Sequence, residues 1–156
     1  MTIKAKILLC TNNPEASDNA ITYACHLAKK FDNVLEILTI LDNSHDSYQG
    51  LFSVGKKLSS DRRKDAEIWL SKLSEEIFLK HSLTPVINIK EGLVSDQIDT
   101  TIKNDKAIKM LVLSSSPESS SNGKLIPHLT EKILDSSIPI IIIPSSLTKT
   151  EIKNLV

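Results

Sequence analysis

The stretch that decides the fold is Met110-Leu111-Val112-Leu113-Ser114-Ser115-Ser116-Pro117, in which an apolar run leads directly into a polar loop. A short apolar run of this kind is typical of a β-strand covered on both faces, as strands are in parallel sheets. A helix is predicted from about Pro127 to Asp135, and a β-branched strand from Ile138 to Ile143. The order strand, helix, strand favours an α/β protein.

The same alternation extends back to the N-terminus. Further strands are predicted at residues 7–10, 34–41 and 86–89, and long helices at residues 14–31 and 60–81, with a shorter one from residue 95. Parallel strands joined by helices form right-handed crossovers. The pattern therefore predicts a parallel sheet with helices on both faces.

Local signals place the ends of these elements. Asn13 is the predicted N-cap of the first helix, with Pro14 at its first helical position, and Ser95 is the predicted N-cap of the third. Residues 43–57 are expected to form a mobile loop. We expect one domain over residues 1–146 and a frayed C-terminal tail over residues 147–156.

Composition excludes several classes of function. The 156 residues carry 19 Lys plus Arg and 19 Asp plus Glu, so the net charge is zero, which argues against a nucleic-acid-binding protein. The longest apolar run, from Ile138 to Pro144, is too short to span a membrane. Cys10 and Cys25 have no metal or redox spacing and are expected to be buried thiols. Together with an N-terminus that lacks signal-peptide architecture, they indicate a cytoplasmic protein.

The order and spacing of these signals resemble the universal stress protein family over nearly the whole chain. The residues that carry the resemblance are Ile7–Glu15, Glu91-Gly92, Leu111–Ser115, Glu131–Leu134 and Ile138–Ile142. The resemblance implies an open five-stranded parallel sheet of the adenine nucleotide alpha hydrolase-like type, and a homodimer. It also implies that ATP-binding members use an aspartate after the first strand and a loop of the form Gly-x2-Gly-x9-Gly-Ser/Thr.

This chain keeps the spacing of that loop and loses its glycines. Asn12 stands at the aspartate position, Ser114, Pro117 and Pro127 stand at the three glycine positions, and His128 replaces the Ser/Thr. A phosphate cradle needs inward-facing backbone N–H groups, and proline has none. We therefore expect no cofactor and no tight ATP binding of the family type.

An alternative remains open for the same positions. Asn12, Ser114, Ser115, Ser116 and His128 are the candidate nucleotide-binding residues, because hydroxyl groups and a helix N-terminus also attract anions. In this alternative the protein is an ATP- or AMP-binding switch with a serine-rich phosphate loop.

Catalysis has weaker support. The chain has no nucleophile elbow, Walker A motif or Rossmann glycine fingerprint, and no metal-ligand spacing. A weak phosphatase centred on Ser115 and His128 is a third hypothesis. The leading hypothesis is a non-catalytic, universal-stress-type binding or regulatory module whose partners are a second copy of itself and an unidentified protein or small ligand.

The isoleucine run near the end of the chain is the predicted dimer interface. Ile140, Ile141, Ile142 and Ile143 would form a long apolar edge that must be covered. The family resemblance implies antiparallel pairing of this strand with its twin. The alternative is a central parallel strand buried within one subunit.

Overall fold

The computed structural model describes residues 3–42, 54–115 and 138–156 of the chain. The elements in these ranges, in chain order, are β1 (Lys6–Cys10), α1 (Asp18–Phe31), β2 (Val34–Leu41), α2 (Val54–His81), β3 (Val86–Glu91), α3 (Val94–Asn104), β4 (Ile108–Ser115), β5 (Ile140–Pro144) and α4 (Lys149–Asn154). The helix predicted over residues 127–135 and most of the predicted loop over 43–57 lie outside the described residues. Residues 54–57 of that loop belong instead to α2, so this part of the loop prediction is wrong.

The strands form one parallel sheet, which confirms the predicted fold class. The sheet has five strands in the order β3-β2-β1-β4-β5. Every pairing in it is parallel. β1 lies at the centre, while β3 and β5 are the two edges. The chain moves outward in one direction from β1 through β2 to β3 and then returns to the other side, so the carboxyl ends of β1 and β4 flank the point where the order reverses.

Both faces of the sheet are covered by apolar packing. The larger core lies between the sheet and helices α1, α2 and α4, and includes Leu9, Ile37, Leu70 and Ile152. A smaller core on the opposite face joins the sheet to α3 through Leu8, Leu38 and Ile98 among others. Alternate residues of β1 thus serve opposite cores, as the two-residue period of a strand requires. Cys10 and Cys25 are both buried free thiols, as predicted.

The amino end of the sheet carries an ion-pair cluster. Glu36 is only 5% exposed within β2. Its carboxylate lies 3.3 Å from the Lys6 ammonium, which is also 2.8 Å from Asp105. Hydrogen bonding between Lys6 and Asp105 raises the pKa of the lysine and lowers that of the aspartate. A buried carboxylate is costly unless it is paired, so Lys6 explains how β2 accommodates a charged residue.

Two helix starts differ from the prediction. Asn13 caps an isolated turn over residues 14–17, with its Oδ1 accepting from the N–H groups of Glu15 and Ala16, while α1 begins only at Asp18. The N-cap of α3 is Leu93, and Ser95 lies inside the helix. The preceding Gly92 has φ +139°, and a Cβ there would lie 2.8 Å from the Gln97 side-chain amide. A glycine is therefore required at this turn.

The C-terminal segment is a helix, so the prediction that it is frayed is wrong. Thr148 and Glu151 form a complete capping box at the start of α4. Ile152 is fully buried against the α1 side of the sheet. Asn19 of α1 clamps the connection from β5, since its side-chain amide donates to three carbonyls at 2.7–3.4 Å, those of Pro144, Ser145 and Leu147. Across the described ranges, no helix combines the length and the apolar character needed to cross a bilayer.

Candidate functional site

The candidate site lies at the carboxyl ends of β1, β2 and β4, where Asn12 follows the central strand. Asn12 is exposed, and its Oδ1 accepts a hydrogen bond of 3.2 Å from the backbone N–H of Ile40 in β2. The N–H of Thr11 donates to the Leu38 carbonyl at 3.0 Å, which continues the ladder between the two strands. Asn12 therefore extends that ladder by one rung with its side chain. The Ile40 N–H at this end of β2 is therefore already hydrogen-bonded.

Three buried hydroxyl groups close the turn between β1 and α1. The Thr11 and Ser17 hydroxyl oxygens lie 2.7 Å apart. The Thr39 hydroxyl of β2 donates to the Thr11 carbonyl at 2.7 Å. These three side chains are 2–4% exposed, and buried hydroxyls of this kind are expected to be satisfied. The sequence analysis did not identify these three side chains as a group. A threonine within or just after an apolar strand is the signal that could have found Thr11 and Thr39, and no comparable signal marks Ser17.

Ser114, near the carboxyl end of β4, is hydrogen-bonded to the same turn. Ser114 is 5% exposed, and its hydroxyl donates to the Ala16 carbonyl at 3.0 Å. Ser115 is half-buried at the end of β4, and its carbonyl accepts from the Ser145 N–H at 3.0 Å. The structure thus brings Asn12 and Ser114 to the same β1–α1 turn. Ser114 holds β4 against that turn.

The other candidate site residues, Ser116 and His128, lie outside the described residues, as do Pro117 and Pro127. The predicted grouping of Ser115 with His128 therefore stays a prediction. The candidate nucleotide-binding site as a whole therefore also stays a prediction.

Reactive groups near the described part of the site are few. Burial raises the pKa of the Cys10 thiol to about 12, so this thiol at the end of β1 stays protonated. No group of three or more His, Cys, Asp or Glu residues that could hold a metal occurs in the described ranges. The arrangement holds the β1–α1 turn in place through side chains that are already hydrogen-bonded within the protein. The Cys25 thiol likewise has a pKa raised to about 12 by burial, so neither cysteine is activated as a nucleophile.

A histidine pair that the sequence did not link lies on the α1 side of the sheet. His26 of α1 and His81 at the end of α2 contact each other edge to face, with ring centroids 5.3 Å apart. Burial is the main reason that the pKa of His81 is lowered, with the positive charges of His26, Lys29 and Lys80 acting in the same direction. A cationic environment disfavours metal binding here.

The predicted dimer strand occupies an edge of the sheet. β5 pairs only with β4 among the described strands, so the alternative of a central strand is wrong. Ile143 is 3% exposed, whereas Ile142 is 37% exposed, and Ile140 and Ile141 are intermediate. An apolar edge strand is therefore available on this side of the chain, next to the end of β4.

Comparison of the sequence with known families identifies a match over most of the chain. The sequence model of the universal stress protein family matches residues 5–144. A search of the curated proteins found no match.

Comparison with solved structures gives the same fold at low sequence identity. The universal stress protein UspA from Lactobacillus plantarum superposes with a TM-score of 0.72 and 18% identity, covering 92% of this chain and 99% of that chain. A protein of the universal stress protein family from Burkholderia pseudomallei gives 0.62 and 12%, covering 92% and 98%. A universal stress protein in complex with cAMP gives 0.51 and 17%, covering 93% and 100%.

These structures share the overall fold of this chain. The family match extends from the start of β1 to the end of β5 and so includes every strand of the sheet. The chain belongs to the universal stress protein family.

Proposed function

We propose that this protein is a non-catalytic, homodimeric stress-response binding or regulatory module that does not bind ATP tightly. The observation that carries the proposal is the closed hydrogen-bond network at the carboxyl ends of β1, β2 and β4. Asn12 accepts from Ile40, and Ser114 donates to Ala16. A ligand at this place would have to replace these bonds before gaining its own, and an exchange of hydrogen bonds yields little net free energy.

The character of the residues supports the same proposal. Asn12 is neutral, so it offers no charge to a metal ion or to a ribose hydroxyl pair. Pro117 and Pro127 stand at glycine positions of the family loop and remove two backbone N–H donors. A triphosphate needs several such donors at once.

Isothermal calorimetry tests this proposal. Wild-type protein titrated with ATP, AMP and cAMP should give no binding heat at millimolar nucleotide. The universal stress protein that was solved in complex with cAMP serves as the positive control for the cAMP titration. A micromolar dissociation constant for any of the three nucleotides would refute the proposal.

Homodimerisation through β5 is the second part of the proposal. β5 is an edge strand with one exposed isoleucine, Ile142, and an apolar edge strand is a template for pairing. A twofold contact would place the same strand on both partners, as the symmetry of a closed dimer requires.

Sedimentation velocity at micromolar concentration tests the dimer. The wild type should sediment as a dimer, and Ile142→Lys as a monomer, because a buried lysine on the dimer axis would face its own copy. Leu155→Lys is the matched control, since Leu155 is 56% exposed on α4 and should leave the dimer intact. A monomeric wild type rejects this part of the proposal, and so does an Ile142→Lys dimer.

The alternative function is a nucleotide-binding switch with a serine-rich phosphate loop. It is favoured by the structural neighbour in complex with cAMP and by the half-buried position of Ser115 at the end of β4. A switch of this kind predicts AMP, ATP or cAMP retained through purification. Mass spectrometry of the acid-released ligand distinguishes it from the leading proposal.

A further inference from the structure

A groove that the proposed function does not use runs between α2 and the edge strand β3. It has a volume of about 550 Å³. One wall is the flank of α2 from Glu67 to Phe78, and the other is formed by Ile87 and Ile89 of β3. Leu70 lies at its base, and serines occupy the middle of the helix wall, so the groove stays open along about three turns of the helix.

The backbone of β3 has hydrogen-bonding groups along this groove that pair with no strand in the described ranges. The N–H of Gly92 donates to the Leu41 carbonyl at 3.1 Å. Alternate residues of a parallel strand turn their N–H and C=O groups toward the same neighbour. The backbone N–H and C=O groups of the even-numbered residues of β3 therefore point toward β2. Those of Ile87 and Ile89 point away from the sheet. No described strand pairs with that outer side.

The charge and polarity of the groove indicate what it would accept. Its lining includes two carboxylates, Glu67 and Glu75, and no lysine or arginine. Glu67 lies 3.5 Å from the side chain of Arg63, whereas Glu75 makes no ion pair with any residue in the described ranges. Phe78 is 57% exposed at one end of the groove. The site therefore combines an apolar floor, an exposed aromatic ring and a carboxylate that forms an ion pair with no cation of the described residues.

We propose that this groove binds an extended segment of a partner protein, which pairs with β3 as a sixth strand and carries apolar residues and a lysine or arginine at alternate positions, on the face turned toward α2. Main-chain bonds to Ile87 and Ile89 would supply affinity, and side chains lying along α2 would supply specificity, as in other cases of strand addition. The apolar residues pack toward Leu70 and Phe78, and a lysine or arginine reaches Glu75. This surface is distinct from the β1–β4 cleft and from β5, so the inference does not depend on the proposed function.

A second copy of this chain fits the groove less well. The side chains of β3 on the groove face are Ile87 and Ile89, followed by Glu91 at the strand end. Pairing two β3 strands would bring no cation of β3 to Glu75, because Lys90 lies on the opposite face, where its Nζ donates to the Thr101 hydroxyl at 2.8 Å. The pairing would also add the Glu91 carboxylate from each copy. Charge complementarity therefore favours a basic partner segment over self-association.

The first test uses a short synthetic valine–lysine peptide, Val-Thr-Lys-Thr-Val, in which valine and lysine share one face of the strand, and a valine–glutamate peptide with glutamate in place of the lysine as the charge control. Amide hydrogen exchange followed by NMR should show that the valine–lysine peptide protects the N–H groups of Ile87 and Ile89 and leaves Asn88 and Lys90 unchanged. The valine–glutamate peptide, and a valine–lysine peptide N-methylated at alternate residues, should bind at least tenfold more weakly. Equal binding of all three peptides overturns the proposal.

Surface variants with matched neighbours provide the second test. Ser71→Trp fills the groove and should abolish peptide binding, while Lys72→Trp at the adjacent exposed position should not. Glu75→Gln should weaken binding of the lysine peptide about two- to fivefold, as expected for one exposed ion pair, and Glu76→Gln should leave it unchanged.

Two further outcomes contradict the inference. If Ser71→Trp binds the lysine peptide as tightly as the wild type, the peptide does not lie in the groove. If Ile87 and Ile89 become protected with increasing protein concentration alone, a second copy occupies the edge and the partner proposal is wrong.

Discussion

Ile152 gives the sharpest test of the C-terminal helix. Its side chain is fully buried on α4, in a segment that the sequence predicted to be frayed. Replacing a buried isoleucine with alanine removes apolar contacts and leaves a cavity, at a cost of about 3 kcal/mol. With a urea m-value of about 2 kcal/mol per molar, the unfolding midpoint of Ile152→Ala should fall by about 1.5 M.

The size of this effect depends on whether α4 unfolds with the rest of the domain. If α4 detaches first, the loss cannot exceed the free energy that docks the helix, and the midpoint falls by less. Amide exchange separates the two cases, because early detachment exposes the amides of α4 while those of β1 stay protected.

Leu155→Ala is the control for Ile152→Ala. Leu155 is 56% exposed at the end of the same helix, so its truncation should cost about 0.5 kcal/mol or less. Urea denaturation curves recorded by circular dichroism give the unfolding midpoints of the two variants for comparison. If their midpoints coincide, Ile152 is not buried in solution and the packing of α4 on α1 is refuted.

Three further predictions concern other contacts. Asn19→Ala should lower the free energy of unfolding in urea by about 1–2 kcal/mol. Asn19→Asp should lower it further, because a carboxylate cannot donate to the three carbonyls that it faces. An aspartate variant as stable as the wild type would contradict these hydrogen bonds. The pKa of His81 is lowered in the folded state, so the unfolded chain binds the proton first and stability should fall as pH drops below about 6.5. His26→Gln should reduce this pH dependence, and an unchanged profile would exclude coupling across the pair. Burial raises the pKa of both Cys10 and Cys25 to about 12. Neither thiol should therefore react with a thiol reagent at about pH 8 until the protein is denatured. Rapid labelling of the native protein would disprove their burial.

The strands were the most predictable part of this protein. The predicted limits of β2 coincide with those observed, because the apolar run from Val34 to Leu41 is bounded by polar residues at both ends. β4 extends two residues beyond its predicted limits on each side, from Ile108 to Ser115. Hydrogen bonds to β1 and β5 hold these extra residues in the sheet. The local sequence does not show which strands will be its neighbours.

The helix ends were less predictable, because more than one polar residue could serve as a cap. Asn13 was a reasonable N-cap. However, the Ser114 hydroxyl donates to the Ala16 carbonyl and the Thr11 hydroxyl is hydrogen-bonded to that of Ser17, so α1 starts one turn later. Two of these contacts join residues 6 and 98 positions apart. Local propensity cannot weigh such contacts against a capping bond.

For the candidate site, the sequence identified the right neighbourhood but not the bonds within it. Asn12 and Ser114 were both identified from the family spacing, and the structure places both at the β1–α1 turn. Their present partners, Ile40 and Ala16, could not be inferred, because each depends on how β2 and β4 flank β1.

Apolar periodicity and the family spacing by themselves determined the α/β class, the parallel sheet and the missing glycines, because these are properties of residue type and order along the chain. Only the tertiary structure decided that β3 and β5 are the edges, that α4 docks through Ile152, and that Asn12 and Ser114 are bonded within the protein. The physical reason is that an edge, a docked helix and a satisfied hydrogen bond are each defined by a partner distant in sequence. The groove beside β3 belongs to the same class, since it exists only where a helix flank and an unpaired strand meet.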